Sequence, residues 1–189
     1  LLLDSLRNEQ VEDGWREFTD RYWPVLVGLG VQLGLSETDA ADAAQWTLLE
    51  FLREFRAGRY ERGKGRLSAF VIGIARNRIR SLRRGTRRYT LSTNEETDGL
   101  DDVTMQDAWE KSRRSEILRR AIDRLQASPK LGSATFTAFE LVALRNVPAE
   151  EAARQTGLSI DEVYLARHRC TRRLREIVDT FTKAWGEEE

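Results

Sequence analysis

The sequence has little of what metal centres, disulfide-bonded folds and membrane spans require. Its 189 residues include one cysteine and one histidine. A single cysteine excludes an internal disulfide and a multi-cysteine zinc site, and a single histidine argues against a histidine-based triad or metal cluster. No apolar run approaches the roughly 18 residues of a membrane-spanning helix, so we expect no membrane insertion. We also expect no cofactor.

A net charge is also missing, because 31 Lys and Arg residues balance 31 Asp and Glu residues. Such neutrality is typical of a protein without affinity for nucleic acid, but the distribution of the charges indicates the opposite. Residues 53–88 carry 13 basic and 2 acidic side chains, whereas residues 1–52 and 89–110 each have a net charge of −7. The basic block predicts phosphate binding, and the acidic blocks predict a second partner or a mimic of a polyanion.

Apolar residues recur at spacings of three and four, which predicts an all-α fold of two helical bundles joined by a flexible acidic linker. Pro24 is expected to break the first helix, and Ser36 to cap the second. The second helix has the apolar stripe Ala41, Ala44, Leu48, Leu52 and Phe55. The predicted domains are residues 1–88 and 111–189, with residues 89–110 as the linker.

Residues 148–163, P-A-E-E-A-A-R-Q-T-G-L-S-I-D-E-V, carry the strongest local motif. A helix-turn-helix needs a small residue at the helix crossing, a turn residue that tolerates positive φ, and a branched apolar residue in the second helix. Ala153, Gly157 and Val163 meet these needs at spacings of four and six. A helical hairpin that does not bind DNA is the alternative.

The second helix of this motif can be phased at about 100° per residue. Its core face includes Val163 and Cys170, and its outer face could lie in a major groove. The predicted base-reading residues are Glu162, Tyr164, Leu165, His168, Arg169 and Arg172. Arg167 has an inward phase, so we expect its stem to run along the apolar surface rather than to contact a base.

The basic block contains an arginine stripe, Arg76, Arg80, Arg83 and Arg87, whose spacing stacks the side chains on one helix face. Such a stripe suits phosphates, and the aromatic residues of the preceding loop suit unstacked bases. The predicted contacts here are Tyr60, Arg62, Lys64, Arg66, Phe70, Arg76, Asn77, Arg80, Arg83 and Arg84. A solvated basic face is the alternative, and Arg78 has no role in the prediction.

The segment D-A-A-D-A-A-Q-W, residues 39–46, predicts a protein-docking surface. Asp42, Gln45 and Leu49 share a helix face, and Asp39 begins the motif. A metal site is a poorer interpretation because no ligand cluster completes one. The acidic group near residues 98–102 lacks the spacing and the terminal Glu of a calcium loop.

Taken in this order, the motifs resemble a bacterial RNA polymerase sigma-70 family factor of the extracytoplasmic-function (ECF) type, over nearly the whole chain. D-A-A-D-A-A-Q resembles the region 2 helix that docks on the polymerase clamp. Residues 63–84 resemble the segment that melts and reads the promoter −10 element, and residues 125–174 resemble region 4, which reads the −35 element. The sequence departs from the family pattern at Trp46, where Glu is usual, and at Ser81, where Asp is common.

The resemblance implies a non-enzymatic specificity subunit in the bacterial cytoplasm. Its partners would be the clamp and flap of core RNA polymerase, the promoter duplex and the single-stranded non-template strand. The docking residues would be Asp39, Asp42, Gln45 and Leu49. The acidic linker would occupy the channel through which RNA later passes, and many relatives are held by an anti-sigma factor.

Two other classes of function remain open at this point. A stand-alone helix-turn-helix regulator would bind duplex DNA tightly without polymerase, although the two-bundle layout argues against it. A metal-dependent nuclease would need a cluster of carboxylates or histidines, which the sequence does not present.

Overall fold

The computed structural model describes residues 11–89 and 100–186. Every regular element within these ranges is helical, which confirms the predicted all-α class. In chain order the elements are α1 (Val11–Gln32), α2 (Glu37–Arg56), a 3-10 turn (Arg62–Lys64), α3 (Leu67–Tyr89), α4 (Asp102–Gln126), α5 (Ser133–Phe139), a π-helical segment (Glu140–Leu144), α6 (Ala149–Thr156) and α7 (Ile160–Gly186). None of these described helices combines the length and the apolar composition that a membrane crossing requires.

The chain divides into two compact units, and the boundary lies inside α4, between Glu116 and Ile117. The first unit contains α1, α2, α3 and the beginning of α4. The second unit contains the rest of α4 and the helices that follow. The domain start expected at residue 111 is therefore slightly early.

The predicted break at Pro24 is wrong, because α1 continues through this residue. A proline inside a helix removes one hydrogen bond and costs about 3 kcal/mol. Phe18 and Tyr22 precede it, Val25 and Leu29 follow it, and all four are buried. Each such side chain contributes roughly 1.5–3 kcal/mol on burial, so packing on both sides of Pro24 outweighs the local cost.

Aromatic rings form the centre of the first unit. The ring of Phe18 stacks on that of Tyr22 at 4.3 Å and on that of Phe51 at 4.4 Å between centroids. The Ser36 hydroxyl accepts from the Asp39 N–H at 3.1 Å, which confirms the predicted cap of α2. The apolar stripe of α2 is rotated from the predicted one, since Phe51 is buried and Leu52 is half-buried.

The predicted linker is too long at its C-terminal side. Helix α4 begins at Asp102, and Leu100, Met105 and Trp109 are buried in the first unit. The Trp109 ring lies 6.1 Å from that of Tyr22, and the Gln32 side-chain amide donates to the Ser112 hydroxyl at 2.9 Å. The acidic side chains of Asp102 and Asp107, which interrupt the apolar pattern of this segment, are exposed on α4. Residues 90–99, in the N-terminal half of the predicted linker, lie outside the described residues.

The second unit has two small cores. One lies between α5, α6 and α7 and contains Ala138, Ala152 and Val163, which are all fully buried. The other contains Leu125, Phe139 and Cys170, with the half-buried Ile177 beside them. Burial raises the pKa of the Cys170 thiol. The single cysteine is therefore a core residue, as the phasing of the last helix predicted.

Replacing Gly30 by alanine is expected to destabilise the first unit by about 1–3 kcal/mol. A Cβ atom at Gly30 would lie 2.8 Å from the Ala40 Cβ, where α1 and α2 cross. Two helices must therefore move apart to make room for one methyl group. Thermal unfolding followed by circular dichroism measures the change.

Gly73→Ala is the matched control, since a Cβ at this position in α3 meets no heavy atom within 4 Å. The control is expected to stabilise the protein by about 0.5–1 kcal/mol, because alanine restricts the unfolded chain more than glycine does. Equal effects of the two substitutions, in either direction, would contradict the close helix crossing.

Candidate nucleic-acid and protein-binding surfaces

The outer face of α2 carries the predicted docking residues. Asp42, Gln45 and Leu49 are exposed along it, with 58% of Leu49 accessible. Asp39 is half-buried, and its carboxylate accepts from the Ser36 hydroxyl at 2.8 Å. Three of the four residues therefore form one exposed stripe, whereas Asp39 also serves the cap of its own helix.

Trp46 lies within this stripe and was not among the predicted docking residues. It is 38% exposed, and the guanidinium carbon of Arg78 lies 6.0 Å from the centre of its ring. That distance suits a cation–π interaction, which accounts for Arg78 on α3. The i, i+4, i+7 spacing of Asp42, Trp46 and Leu49 was the sequence signal that could have revealed it.

The loop before α3 forms a cleft with a partly apolar floor. Its lining residues are Arg59, Tyr60, Glu61, Lys64, Gly65, Arg66, Ala69 and Phe70. Lys64 and Arg66 are exposed, and the Lys64 ammonium lies 2.7 Å from the Glu61 carboxylate. These charges surround the cleft, so a negatively charged chain could pass over it while a planar apolar group enters it.

The two predicted stacking residues differ in accessibility. Tyr60 is only 4% exposed, and its ring packs 5.4 Å from that of Phe70 and 6.2 Å from that of Phe55. Phe70 is half-buried and meets Phe51 edge-on at 6.2 Å. Tyr60 therefore supports the wall of the cleft, and Phe70 offers the more accessible aromatic surface.

The arginine stripe of α3 is present but unevenly accessible. Arg84 and Asn77 are exposed, and Arg83 is half-buried. Arg76 pairs with the Asp102 carboxylate, and Arg80 donates to the Leu100 carbonyl oxygen at 2.6 Å. The side chains of Arg62 and Arg87 lie outside the described part of the structure. Two members of the predicted contact set thus already hold the start of α4.

In the predicted helix-turn-helix segment, α6 and α7 are joined by a turn at Gly157. Gly157 has φ of 70°, in the left-handed region that glycine favours, and its N–H donates to the Ala153 carbonyl at 2.9 Å. Ala152 and Val163 are fully buried where the helices cross. The neighbouring Ala153 is half-buried against the same core. Small residues at 152 and 153 allow the close approach of α7.

A capping box begins α7, in which Ser159 and Glu162 form the S-x-x-E pattern. The Glu162 N–H lies 3.3 Å from the Ser159 hydroxyl, and the Glu162 carboxylate accepts from the Ser159 N–H at 2.7 Å. Hydrogen bonds from the Ser159 backbone and then its hydroxyl lower the pKa of Glu162. Glu162, one of the predicted base-reading residues, therefore has a local structural role.

The outer face of α7 exposes the other predicted base-reading residues. Tyr164 and Leu165 are 50% and 44% exposed, and His168, Arg169 and Arg172 are exposed as well. Arg167, expected to run its stem along the apolar surface, is exposed. It lines a shallow groove with Tyr164, His168, Thr171, Arg172 and Arg175. Its position at the edge of the core face leaves the side chain free to turn towards solvent.

The described residues place no group of three or more His, Cys, Asp and Glu side chains where it could hold a metal ion. Basic surfaces and an exposed α2 stripe are instead the main features. The basic surfaces offer two areas to which a polyanion could bind, one on α3 with its preceding loop and one on α7.

Comparison with known proteins identifies the first unit. No curated protein matches the chain at a significant level. Residues 18–89, which contain the α2 stripe, the cleft and the arginine stripe, match the family model described as Sigma-70 region 2. This match relates residues 18–89 to region 2 of the sigma-70 family.

Proposed function

We propose that this chain is an ECF-type sigma factor, which binds core RNA polymerase and directs it to promoters by reading −35 and −10 elements and assisting melting. The match of residues 18–89 to region 2 carries the proposal. The second helical unit, with its helix-turn-helix arrangement, fits a protein that recognises two promoter elements. In this role the chain supplies recognition rather than catalysis, acts in the bacterial cytoplasm, and is regulated by an anti-sigma factor.

The α2 stripe would dock on the polymerase clamp. Asp42, Gln45 and Leu49 are exposed there, and Asp39 adds negative charge at the N-terminal end of the helix. An acidic stripe with an apolar centre fits a basic partner that also has an apolar pocket. The flap of the polymerase would meet the second unit.

The α3 surface would hold the −10 element. Lys64, Arg66, Asn77 and Arg84 are exposed and would contact phosphates, with Arg83 beside them. Arg62, whose side chain is not described, belongs to the same basic loop. A base that leaves the stack would enter the cleft against Phe70. The partly apolar wall would stack on the base, and the cationic side chains at the rim would contact the phosphates of the DNA backbone. Tyr60 would contribute by packing against Phe70 and so supporting the wall of the cleft.

The outer face of α7 would lie in the major groove of the −35 element. His168, Arg169 and Arg172 can donate to base edges or phosphates, and Tyr164 and Leu165 can contact thymine methyl groups. Arg167 and Arg175 extend the basic groove along the helix. Glu162 would act by holding the first turn of α7 in place.

Run-off transcription with purified core polymerase and the full chain tests the proposal. Core polymerase with the chain is expected to give discrete transcripts from a pool of promoter fragments, and the chain is expected to co-purify with core. Arg172→Ala should lower initiation about tenfold to hundredfold, as for the loss of one base contact, without changing co-purification.

Failure of both co-purification and specific initiation would overturn the proposal. Tight duplex binding by the chain alone, with no effect of core polymerase, would favour a stand-alone regulator instead. Metal-dependent cleavage of DNA would point to a nuclease.

A further inference from the structure

The start of α4 holds two members of the arginine stripe. A guanidinium nitrogen of Arg76 pairs with the Asp102 carboxylate, and Nη2 of Arg80 donates to the Leu100 carbonyl oxygen at 2.6 Å. Arg76 and Arg80 are about one helical turn apart on α3. These two arginines with Leu100 and Asp102 are called the α4 clasp below.

Apolar anchors keep the clasp in position. Leu100, Met105 and Trp109 are buried in the first unit. Asp101 caps α4 by accepting from the Thr104 N–H at 2.7 Å, and hydrogen bonds from Thr104 lower the pKa of Asp101. Apolar burial and the Asp101 cap therefore hold this segment in place independently of the ion pair.

The ion pair of the clasp is its weak part. The Asp102 side chain is 87% exposed, whereas that of Arg76 is 31% exposed. Solvent-exposed ion pairs contribute little to stability and are screened by salt. The Asp102 carboxylate can therefore leave Arg76 while Leu100 and the helix behind it stay in place.

A DNA phosphate needs the same donors as the Asp102 carboxylate. Both anions accept charge-assisted hydrogen bonds from a guanidinium group. Asp101 and Asp102 also add negative charge beside the stripe, which lowers the positive potential that attracts DNA. Occupation of Arg76 by Asp102 and approach of a phosphate to Arg76 are therefore opposed.

We propose that the α4 clasp is an intramolecular competitor of DNA at the arginine stripe. The inference depends on the proposed function only in that it takes DNA as the ligand of this surface. With Asp102 on Arg76 the chain binds DNA weakly, and departure of the carboxylate makes Arg76 available. The competition is assigned to Arg76 because Arg80 donates to a main-chain oxygen in a part-buried contact, not to an exposed carboxylate.

Asp102→Asn tests the competition by removing the charge while keeping the size of the side chain. Binding of the full chain to a fluorescein-labelled duplex of arbitrary sequence is measured by anisotropy over a series of salt concentrations. The substitution is expected to tighten binding about threefold to tenfold at low salt, and the gain should shrink as salt rises. Asp107→Asn, at an exposed site on the same helix, is the matched control for loss of one negative charge.

A double-mutant cycle with Arg76→Ala identifies the arginine that is released. The gain from Asp102→Asn is expected to vanish in the Arg76→Ala background, and circular dichroism checks that every variant folds. Equal gains from Asp102→Asn and Asp107→Asn, no gain from Asp102→Asn, or a gain that persists without Arg76 would each overturn the competition. Because this assay uses no polymerase, its failure would leave run-off transcription unaffected, and the reverse also holds.

Discussion

Phe51→Ala is expected to lower the free energy of unfolding of the first unit by about 3–5 kcal/mol. Phe51 is fully buried, and its ring contacts those of Phe18, Phe55 and Phe70. Truncation would leave a cavity at the meeting point of α1, α2 and α3. Since small domains are stable by only about 5–15 kcal/mol, much of the first unit's stability would be lost.

Leu52→Ala is the matched control for Phe51→Ala. Leu52 is the next residue of α2 and is half-buried, so its truncation is expected to cost clearly less. Hydrogen exchange of the α2 amides reports the first unit separately from the second. A larger effect at Leu52 than at Phe51 would mean that the helix is rotated towards the stripe predicted from the sequence.

Trp46→Ala is expected to weaken binding to core polymerase about 30-fold to 1,000-fold, the range for loss of an interface hot spot. Tryptophan is enriched among interface hot spots, and Trp46, 38% exposed, lies between the proposed docking residues Asp42 and Leu49. Arg78 covers one face of its ring and limits its rotamers. A pre-positioned ring loses less entropy on binding than a freely moving one.

The affinity for core polymerase can be measured by competition against a labelled wild-type chain. Val31→Ala removes an exposed apolar side chain from α1 and should leave the affinity nearly unchanged. Arg78→Met should give an intermediate loss, because it keeps the stem but removes the cation. Wild-type affinity of the Trp46→Ala protein would show that the ring is not an anchor.

Local signals in the sequence were sufficient for much of the fold. The Ser36 cap, the left-handed Gly157 and the buried Val163 each depend on neighbours within one or two helical turns, so spacing alone could predict them. The all-α class followed from the same periodicity. The S-x-x-E capping box at Ser159 is equally local, since it joins residues only three apart.

The errors came from contacts between residues far apart in the sequence. Pro24 stays helical because the residues on both sides of it pack against other helices. Helix α4 begins before the predicted end of the linker because Met105 and Trp109 are buried in a core that other helices form. Composition could show that residues 89–110 are acidic, but it could not show that Arg76 and Arg80 contact Asp102 and Leu100 within this segment. The low accessibility of Tyr60 results from tertiary packing against Phe55 and Phe70, which spacing alone does not show.

The buried Cys170 has a practical consequence for the second unit. Burial both hides the thiol and raises its pKa, so the reactive thiolate is scarce in the folded protein. An alkylating reagent can reach it only when α7 parts from the core that contains Leu125 and Phe139. Because it is the one cysteine of the chain, its labelling rate reports how often the second unit opens, with no engineered probe.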